Sequence, residues 1–223
     1  MNGPQDIGGR HGFGPVAPAL NASAYHPGAN WEPRAMAITV AAGAGGHWTI
    51  DESRFMRENR DPAEYYRLSY FQLWLTALAE LLTAKGLVTE AELAAGHAGT
   101  APTTPPGTCL SASAVPGVLA RGGPVDRDPG AARPGFAPGD LVRTRNHQPA
   151  GHTRLPGYAR DKVGRIESVQ GFHAFADASA EGDRQAADWL YTVVFEAETL
   201  FGAAEATGDS VSVDAWEPYL VRA

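Results

Sequence analysis

The feature that most constrains this chain is a break in its middle, at residues 96–138, where regular patterning stops. Proline, glycine, alanine, serine and threonine dominate there, and apolar residues follow no period. Before the break, apolar residues recur at the three- and four-residue spacing of helices, and after it they alternate as in strands. We therefore expect an α+β fold in which residues 98–138 form a linker or long surface loop.

Helix signals fill residues 31–97, which are predicted to form a small helical unit. A helix is expected from Trp31 to Ala42, ending at the glycines that follow. Capping boxes of the form Thr-x-x-Glu begin at Thr49 and Thr89 and predict two short helices. Asp61 followed by proline indicates another start.

The most regular helix is predicted from Tyr70 to Lys85, closed by Gly86. Its apolar stripe at helical spacing consists of Phe71, Trp74, Leu75, Leu78 and Leu82.

Strand patterns fill the last part of the chain, residues 139–223. Short alternating or apolar runs occur at residues 140–145, 162–169, 190–197, 210–216 and 219–221. Five short strands separated by glycine and aspartate turns predict a small antiparallel barrel of the SH3-like kind.

The first 30 residues are rich in glycine and proline and have few apolar anchors. A disordered tail is one interpretation. The other is an extended arm wrapping a partner subunit, ordered only against that partner. The apolar residues spaced along it are Ile7, Phe13, Val16, Leu20 and Tyr25.

A short basic run, Gly-His-Thr-Arg-Leu-Pro at residues 151–156, stands between the first two predicted strands and is followed by Tyr-Ala-Arg. Gly151 and Pro156 restrict the backbone at its ends, so the side chains of His152 and Arg154 are expected to be fixed. The run contains no nucleophile and no acid. We expect it to receive an anion carried by another polypeptide; the alternative is a solvated basic turn.

Composition excludes several classes of function. A net charge of −7 argues against nucleic acid as a partner. The single cysteine, Cys109, excludes an internal disulfide and a cysteine-based metal site, and it lies in a loop without an accompanying base. The seven histidines form no close pair, so no metal is expected on this chain.

No membrane or secretory segment is expected. The N-terminus lacks a charged head followed by an apolar run. The most apolar stretch, residues 35–46, is too short and too rich in glycine to span a bilayer. A cytoplasmic location is therefore predicted.

Several blocks, taken in order, carry a resemblance to a known family. They read MNGPQDIGG, HGFGPV, WE, IDESRF, KGLVTEAEL, GHTRLPGYAR with GRI, LYTVVFEAETLFG and SVDAWEPYL. This set resembles the β subunit of nitrile hydratase over almost the whole chain outside residues 98–135. Gln5 and Ala176 depart from the residues that the family more often has.

The resemblance implies an enzyme that adds water to a nitrile to give an amide. Such an enzyme is an αβ unit, usually paired into a heterotetramer. The α subunit binds non-corrin Co(III) or non-haem Fe(III) through cysteines, two of which are oxidised. This chain would then be the β subunit, inactive without α. Trp74 favours cobalt by the family pattern.

The resemblance also implies site residues. Arg54 and Arg154 would donate hydrogen bonds to the oxidised sulfurs, and Glu58 and His152 would lie in the outer hydrogen-bond shell. Buried anionic sulfurs need permanently charged, forked donors, and lysine would supply the charge without the fork.

The nitrile channel would be lined by Ile50, Tyr70 and Trp74. Trp48 is added only because it lies beside the same turn. The alternative is that Trp74 and its neighbours form the core of their helix, as a stripe at this spacing usually does.

Other functions stay open on the sequence. One is the related thiocyanate hydrolase, which divides the equivalent of β into two chains. Another is a metal-insertion activator, which resembles only the helical half. A third is an SH3-like adaptor with no enzymatic role.

Overall fold

The computed structural model describes residues 1–15, 31–99, 110–203 and 207–223. The chain forms two compact units, one mainly from Phe13 to Gly123 and the other mainly from Pro124 to Ala223. Four residues named above lie outside the described ranges: Val16, Leu20, Tyr25 and Cys109.

The first unit is helical. Its helices are α1 (Trp31–Ala44), α2 (Ile50–Glu58), α3 (Pro62–Arg67), α4 (Tyr70–Ala84), α5 (Glu90–Ala95) and α6 (Val115–Arg121). The first five confirm the predicted helices, whereas α6 was not predicted.

Side-chain caps explain where these helices begin. The Thr49 hydroxyl accepts from Glu52 N at 3.0 Å, and the Glu52 carboxylate accepts from Thr49 N at 2.6 Å. The same reciprocal pair forms at Thr89, so both predicted capping boxes are confirmed. The Asp61 carboxylate accepts from two backbone N–H groups in the first turn of α3.

The core of the helical unit lies where α4 packs against α1 and α2. Its buried face consists of Leu73, Ala77, Leu78 and Leu81. This face is rotated from the predicted stripe, which was wrong at Leu75, a residue that is 44% exposed. Two helices cover α4, so its buried side follows their positions and not the apolar period alone.

The second unit is built on an antiparallel sheet. Its strands are β1 (Leu141–Thr144), β2 (Val163–Ala174), β3 (Ala187–Glu196), β4 (Ser210–Trp216) and β5 (Leu220–Arg222). They confirm the five predicted strands, although β2 and β3 are longer than expected. The strand order is β4-β3-β2-β1-β5, and short helices α7 (Ala176–Ala180) and α8 (Ala197–Phe201) follow β2 and β3.

One face of the sheet carries the core of the unit. Fully buried members are Val142, Ile166, Tyr191, Val193, Phe195 and Ala215. Gly164 on β2 allows close packing, because a Cβ there would lie 2.7 Å from the Phe195 ring.

Residues 124–138 pack on the sheet unit, although no periodic pattern marks them. The backbone of Asp126 bridges that of His173 on β2. The Phe136 ring meets the Tyr191 ring edge-on, at a centroid distance of 5.7 Å. Within the described ranges, no helix has the length and apolar character needed to cross a bilayer.

Candidate functional site

The basic loop, residues 151–160, connects β1 to β2 and is irregular until the 3₁₀ turn Gly157–Ala159. His152 and Leu155 are each only 2% exposed, whereas Arg154 between them is exposed. The loop is therefore not a solvated turn. It is anchored on both sides of an outward-facing arginine.

Tyr219 supports the middle of this loop. Its hydroxyl accepts from Arg154 N at 3.3 Å and from Thr153 Oγ1 at 3.2 Å. It donates its own proton to the carboxylate of Asp177 on α7. Burial raises the pKa of Tyr219, and the neighbouring Asp177 charge raises it further, so the hydroxyl stays protonated.

Arg160 supports the end of the loop. Its guanidinium is buried and donates to four oxygens of the sheet unit. These are Met1 O, Asn2 Oδ1, Gln148 Oε1 and Leu155 O. The carboxylate of Asp6 also lies 3.9 Å from this guanidinium.

The N-terminal residues are held by the same loop. Asp6 accepts from Gly157 N at 2.7 Å, and an added Cβ at Gly8 would lie 2.6 Å from the Tyr158 ring. These contacts hold Asp6 and Gly8 against the sheet unit of this chain. The first and sixth sequence blocks of the resemblance meet here.

Helix α2 carries the other predicted arginine. Arg54 Nη1 donates to Asp51 at 3.0 Å, and the arginine side chain is 36% exposed. Ile50, Arg54 and Glu58 follow one another at four-residue spacing, so they share one side of α2. Glu58 is half-buried at the end of the helix.

Arg57 joins this helix to the aromatic start of α4. Its Cζ lies 4.1 Å from the centroid of the Trp74 ring, and its Nε donates to Ser53 O at 3.0 Å. The Tyr70 ring lies 5.9 Å from that of Trp74. Burial lowers the pKa of Arg57, while the nearby Tyr70 and Glu58 oppose that change.

The predicted lining residues differ in their surroundings. Ile50 is 60% exposed and Tyr70 is 65% exposed, and Trp74 is half-buried beneath Arg57. Trp48 is 3% exposed and packs with Leu78 in the core of the helical unit.

Sequence reasoning missed the residues that hold the predicted ones in place. Arg57, Tyr219 and Asp177 were not named, and Arg160 was treated only as part of a basic run. Tyr219 does stand in one of the blocks quoted above, SVDAWEPYL, but nothing local to it indicates its partners.

No group of three or more His, Cys, Asp or Glu in the described part of the chain is arranged to hold a metal ion. Helix α2 offers the Arg54 guanidinium, which is bonded to the Asp51 carboxylate, and the loop offers the exposed Arg154 side chain on a backbone bonded to the Tyr219 hydroxyl. Their chemistry is the binding of an anion through forked, charged donors.

Comparison with known proteins identifies the family. The model described as "Nitrile hydratase beta subunit, N-terminal" matches residues 1–117, and its C-terminal counterpart matches residues 124–222. The chain belongs to the nitrile hydratase β-subunit family. Nitrile hydratase subunit beta of Pseudomonas putida is 34% identical over 226 residues, covering 99% of this chain and 99% of the relative.

The name of a second nitrile hydratase relative includes its metal, cobalt. Cobalt-containing nitrile hydratase subunit beta of Pseudonocardia thermophila is 32% identical over 230 residues, covering 99% of this chain and 96% of the relative. Among solved structures, apo thiocyanate hydrolase of Thiobacillus thioparus is 26% identical at a TM-score of 0.40, covering 42% of this chain and 79% of that chain. The nitrile hydratase relatives match over nearly the full chain, and they favour nitrile hydratase over the thiocyanate hydrolase alternative.

Proposed function

We propose that this chain is the β subunit of a nitrile hydratase and that, with an α subunit, it converts a nitrile to the amide. The observation that carries the proposal is the match of both family models, which together span nearly the whole chain. The α subunit would hold Co(III) or Fe(III) through its cysteines, and the cobalt-containing relative favours cobalt. When bound, that metal supplies a Lewis acid.

This chain's contribution would be two forked donors. We propose that Arg54 and Arg154 donate hydrogen bonds to the oxidised cysteines of α. Arg154 suits this role because its side chain is exposed while the backbone on either side is anchored. Arg54 suits it because Asp51 orients one end of its guanidinium. Each would also stabilise negative charge that is buried when the subunits meet.

Glu58 and His152 are proposed to act one step further out. Glu58 lies on the same side of α2 as Arg54, and His152 is buried two residues before Arg154. From these positions each can fix the hydrogen bonding of its neighbouring arginine, and outer-shell groups of this kind tune the sulfurs and water at a metal centre.

The nitrile would meet Ile50, Tyr70 and Trp74. The two aromatic rings are in contact, and Ile50 is highly exposed at the start of α2, as suits a surface completed by a second subunit. Trp48 packs in the helical core beside this surface, and its place in the lining stays a prediction.

Two further predictions concern the fold of the sheet unit and the N-terminal arm. Strands β4 and β5 lie at opposite ends of the sheet order, yet the three-residue turn Glu217–Tyr219 joins them. So short a connection requires the sheet to curl towards closure, which supports an SH3-like barrel. The predicted arm, residues 1–30, is proposed to wrap the α subunit. A heterotetramer and a cytoplasmic location stay predictions.

Expression with and without a nitrile hydratase α subunit tests the proposal. The purified pair should hydrate a nitrile and contain cobalt or iron. The lone chain should do neither, because a site made of guanidinium donors has no metal ligands. Stoichiometric, tightly held metal in the lone chain, or an inactive metal-loaded pair, would contradict it.

A further inference from the structure

The basic loop has to hold Arg154 in place without the help of strand pairing. Residues 152–156 belong to no helix or strand, and Arg154 N donates to a side chain instead of a backbone carbonyl. Loop backbones without regular pairing keep their geometry only where other groups satisfy and fix them. The question is which groups do so here.

The donor position and both acceptor positions of the Tyr219 hydroxyl have hydrogen-bond partners. A phenol has one proton and two acceptor positions. The proton goes to the Asp177 carboxylate, and the acceptor positions receive Arg154 N–H and the Thr153 hydroxyl. One buried oxygen therefore ties the loop at two consecutive residues.

The supports of that oxygen are rigid. The Tyr219 ring is 2% exposed and packs against Phe175 and Trp216, at centroid distances of 5.7 and 6.2 Å. Tyr219 ends the 3₁₀ turn between β4 and β5, whereas Asp177 belongs to α7 after β2. The loop is thus fastened to two separate elements of the sheet unit.

We propose that Tyr219 and Asp177 are positioning residues for Arg154: Asp177 orients the Tyr219 hydroxyl, and that hydroxyl sets the backbone from which the arginine side chain projects. This inference rests on the proposed role of Arg154. Neither residue needs to touch the substrate. Their effect is to keep the guanidinium within the narrow range in which a forked donor can match two acceptor atoms.

Tyr219→Phe tests the pair, because it keeps the packed ring and removes only the hydroxyl. The matched control is Tyr191→Phe. Tyr191 is also buried in the same unit, and its hydroxyl donates to Glu217, at the start of the turn that Tyr219 ends, instead of accepting from the loop. Tyr219→Phe loses its bond to Asp177 and both bonds to the loop, whereas Tyr191→Phe loses only its bond to Glu217. The control therefore shows the effect of removing a buried tyrosine hydroxyl from this unit while both loop bonds remain.

Two readouts are made on each variant assembled with the α subunit. Hydrogen exchange of peptides covering residues 151–156 should accelerate about tenfold in Tyr219→Phe and stay unchanged in Tyr191→Phe. The kcat for nitrile hydration should fall about tenfold in Tyr219→Phe, with KM within about twofold, and the control should keep kcat within about twofold.

Asp177 supplies a second, independent pair. Asp177→Asn keeps an oxygen that accepts from the Tyr219 hydroxyl, so the loop should remain protected. Asp177→Ala removes that acceptor, so exchange at the loop should accelerate. If Tyr219→Phe does not assemble with the α subunit, the two Asp177 variants still test whether the Tyr219 hydroxyl fixes the loop. Equal exchange rates at residues 151–156 in these two variants would overturn the proposal.

Other results that would overturn it are wild-type exchange at residues 151–156 in Tyr219→Phe, or faster exchange with unchanged kcat. Arg154→Lys distinguishes this failure from failure of the proposed function. Full activity in Arg154→Lys would remove the role of Arg154 itself, while the exchange measurements would still report whether Tyr219 holds the loop.

Discussion

The guanidinium of Arg57 lies over the indole of Trp74, with Cζ 4.1 Å from the ring centroid. This contact crosses from α2 to α4 and covers one face of a residue proposed to line the nitrile channel. A half-buried cation–π pair of this kind is worth about 1 kcal/mol. It also restricts the indole to one orientation, which matters more for a binding surface than the energy does.

Removing the Arg57 guanidinium from the face of the Trp74 indole should therefore change substrate binding. Arg57→Ala is expected to raise KM for the nitrile and to broaden the fluorine resonance of a fluorotryptophan at position 74. Arg57→Lys keeps the charge without the planar group, so its KM and its resonance width should lie between those of Arg57→Ala and the wild type. Arg67→Ala, an exposed arginine on α3, is the control. Unchanged KM and an unchanged resonance in Arg57→Ala would show that Trp74 is held by its helix alone.

The cap of α2 should matter more for activity than an equivalent cap elsewhere. Thr49→Ala and Thr89→Ala each remove a capping-box threonine and should each lower the free energy of unfolding by about 1 kcal/mol. Only α2 carries Arg54, so only Thr49→Ala is expected to reduce nitrile hydration in the assembled complex. Equal activity losses in the two variants would indicate that stability, and not the placement of Arg54, governs the effect.

Arg160 should be a major stabiliser of the N-terminal residues. Arg160→Met leaves the backbone carbonyls of Met1 and Leu155 buried without their charged donor and is expected to lower the free energy of unfolding by about 2–4 kcal/mol. Exchange at residues 1–8 should accelerate at the same time. Arg165→Met, at an exposed position on β2, should change stability by no more than about 0.5 kcal/mol. Unaltered exchange at residues 1–8 would show that other contacts hold the N-terminus.

The helices and strands were predictable because their signals are local. Capping boxes at Thr49 and Thr89 lie within four residues, and alternation marks each strand within about six. Helix α6 was missed because its N-cap, Ala114, has no side-chain cap. The rotated face of α4 was missed because it depends on two other helices, which a single apolar period does not reveal.

The site was predictable in part, and only through blocks that resemble a family. Those blocks named Arg54 and Arg154. Their supports could not be found in the same way, because the bonded partners are far apart in sequence: Asp6 meets Gly157, and Asp177 meets Tyr219. Such contacts are created by the sheet topology and leave no spacing to recognise.

The stability of the chain should depend on pH through Asp177. Burial raises the pKa of Asp177 above its ordinary value of 3.8, although the hydrogen bond from Tyr219 opposes that change. Between 3.8 and the raised value the folded state binds more protons than the unfolded state, so this residue's contribution to stability decreases as pH rises.

Urea unfolding of the wild type and Asp177→Asn across that range gives the measurement. The stability of the wild type relative to the variant should increase as pH falls from neutral towards 4. A relative stability that decreases on acidification would mean that hydrogen bonding outweighs burial at Asp177 and that its pKa is depressed.

The most direct test of the central claim is the kcat/KM for nitrile hydration of the assembled complex carrying Arg54→Lys or Arg154→Lys. Lysine keeps the charge and removes the fork, so the account predicts a fall of more than tenfold for each variant, a loss above about 1.4 kcal/mol of transition-state stabilisation. The complex should still assemble, and Arg143→Lys, at an exposed position on β1, should stay within about twofold of the wild type. Full activity in both Arg54→Lys and Arg154→Lys would contradict the account.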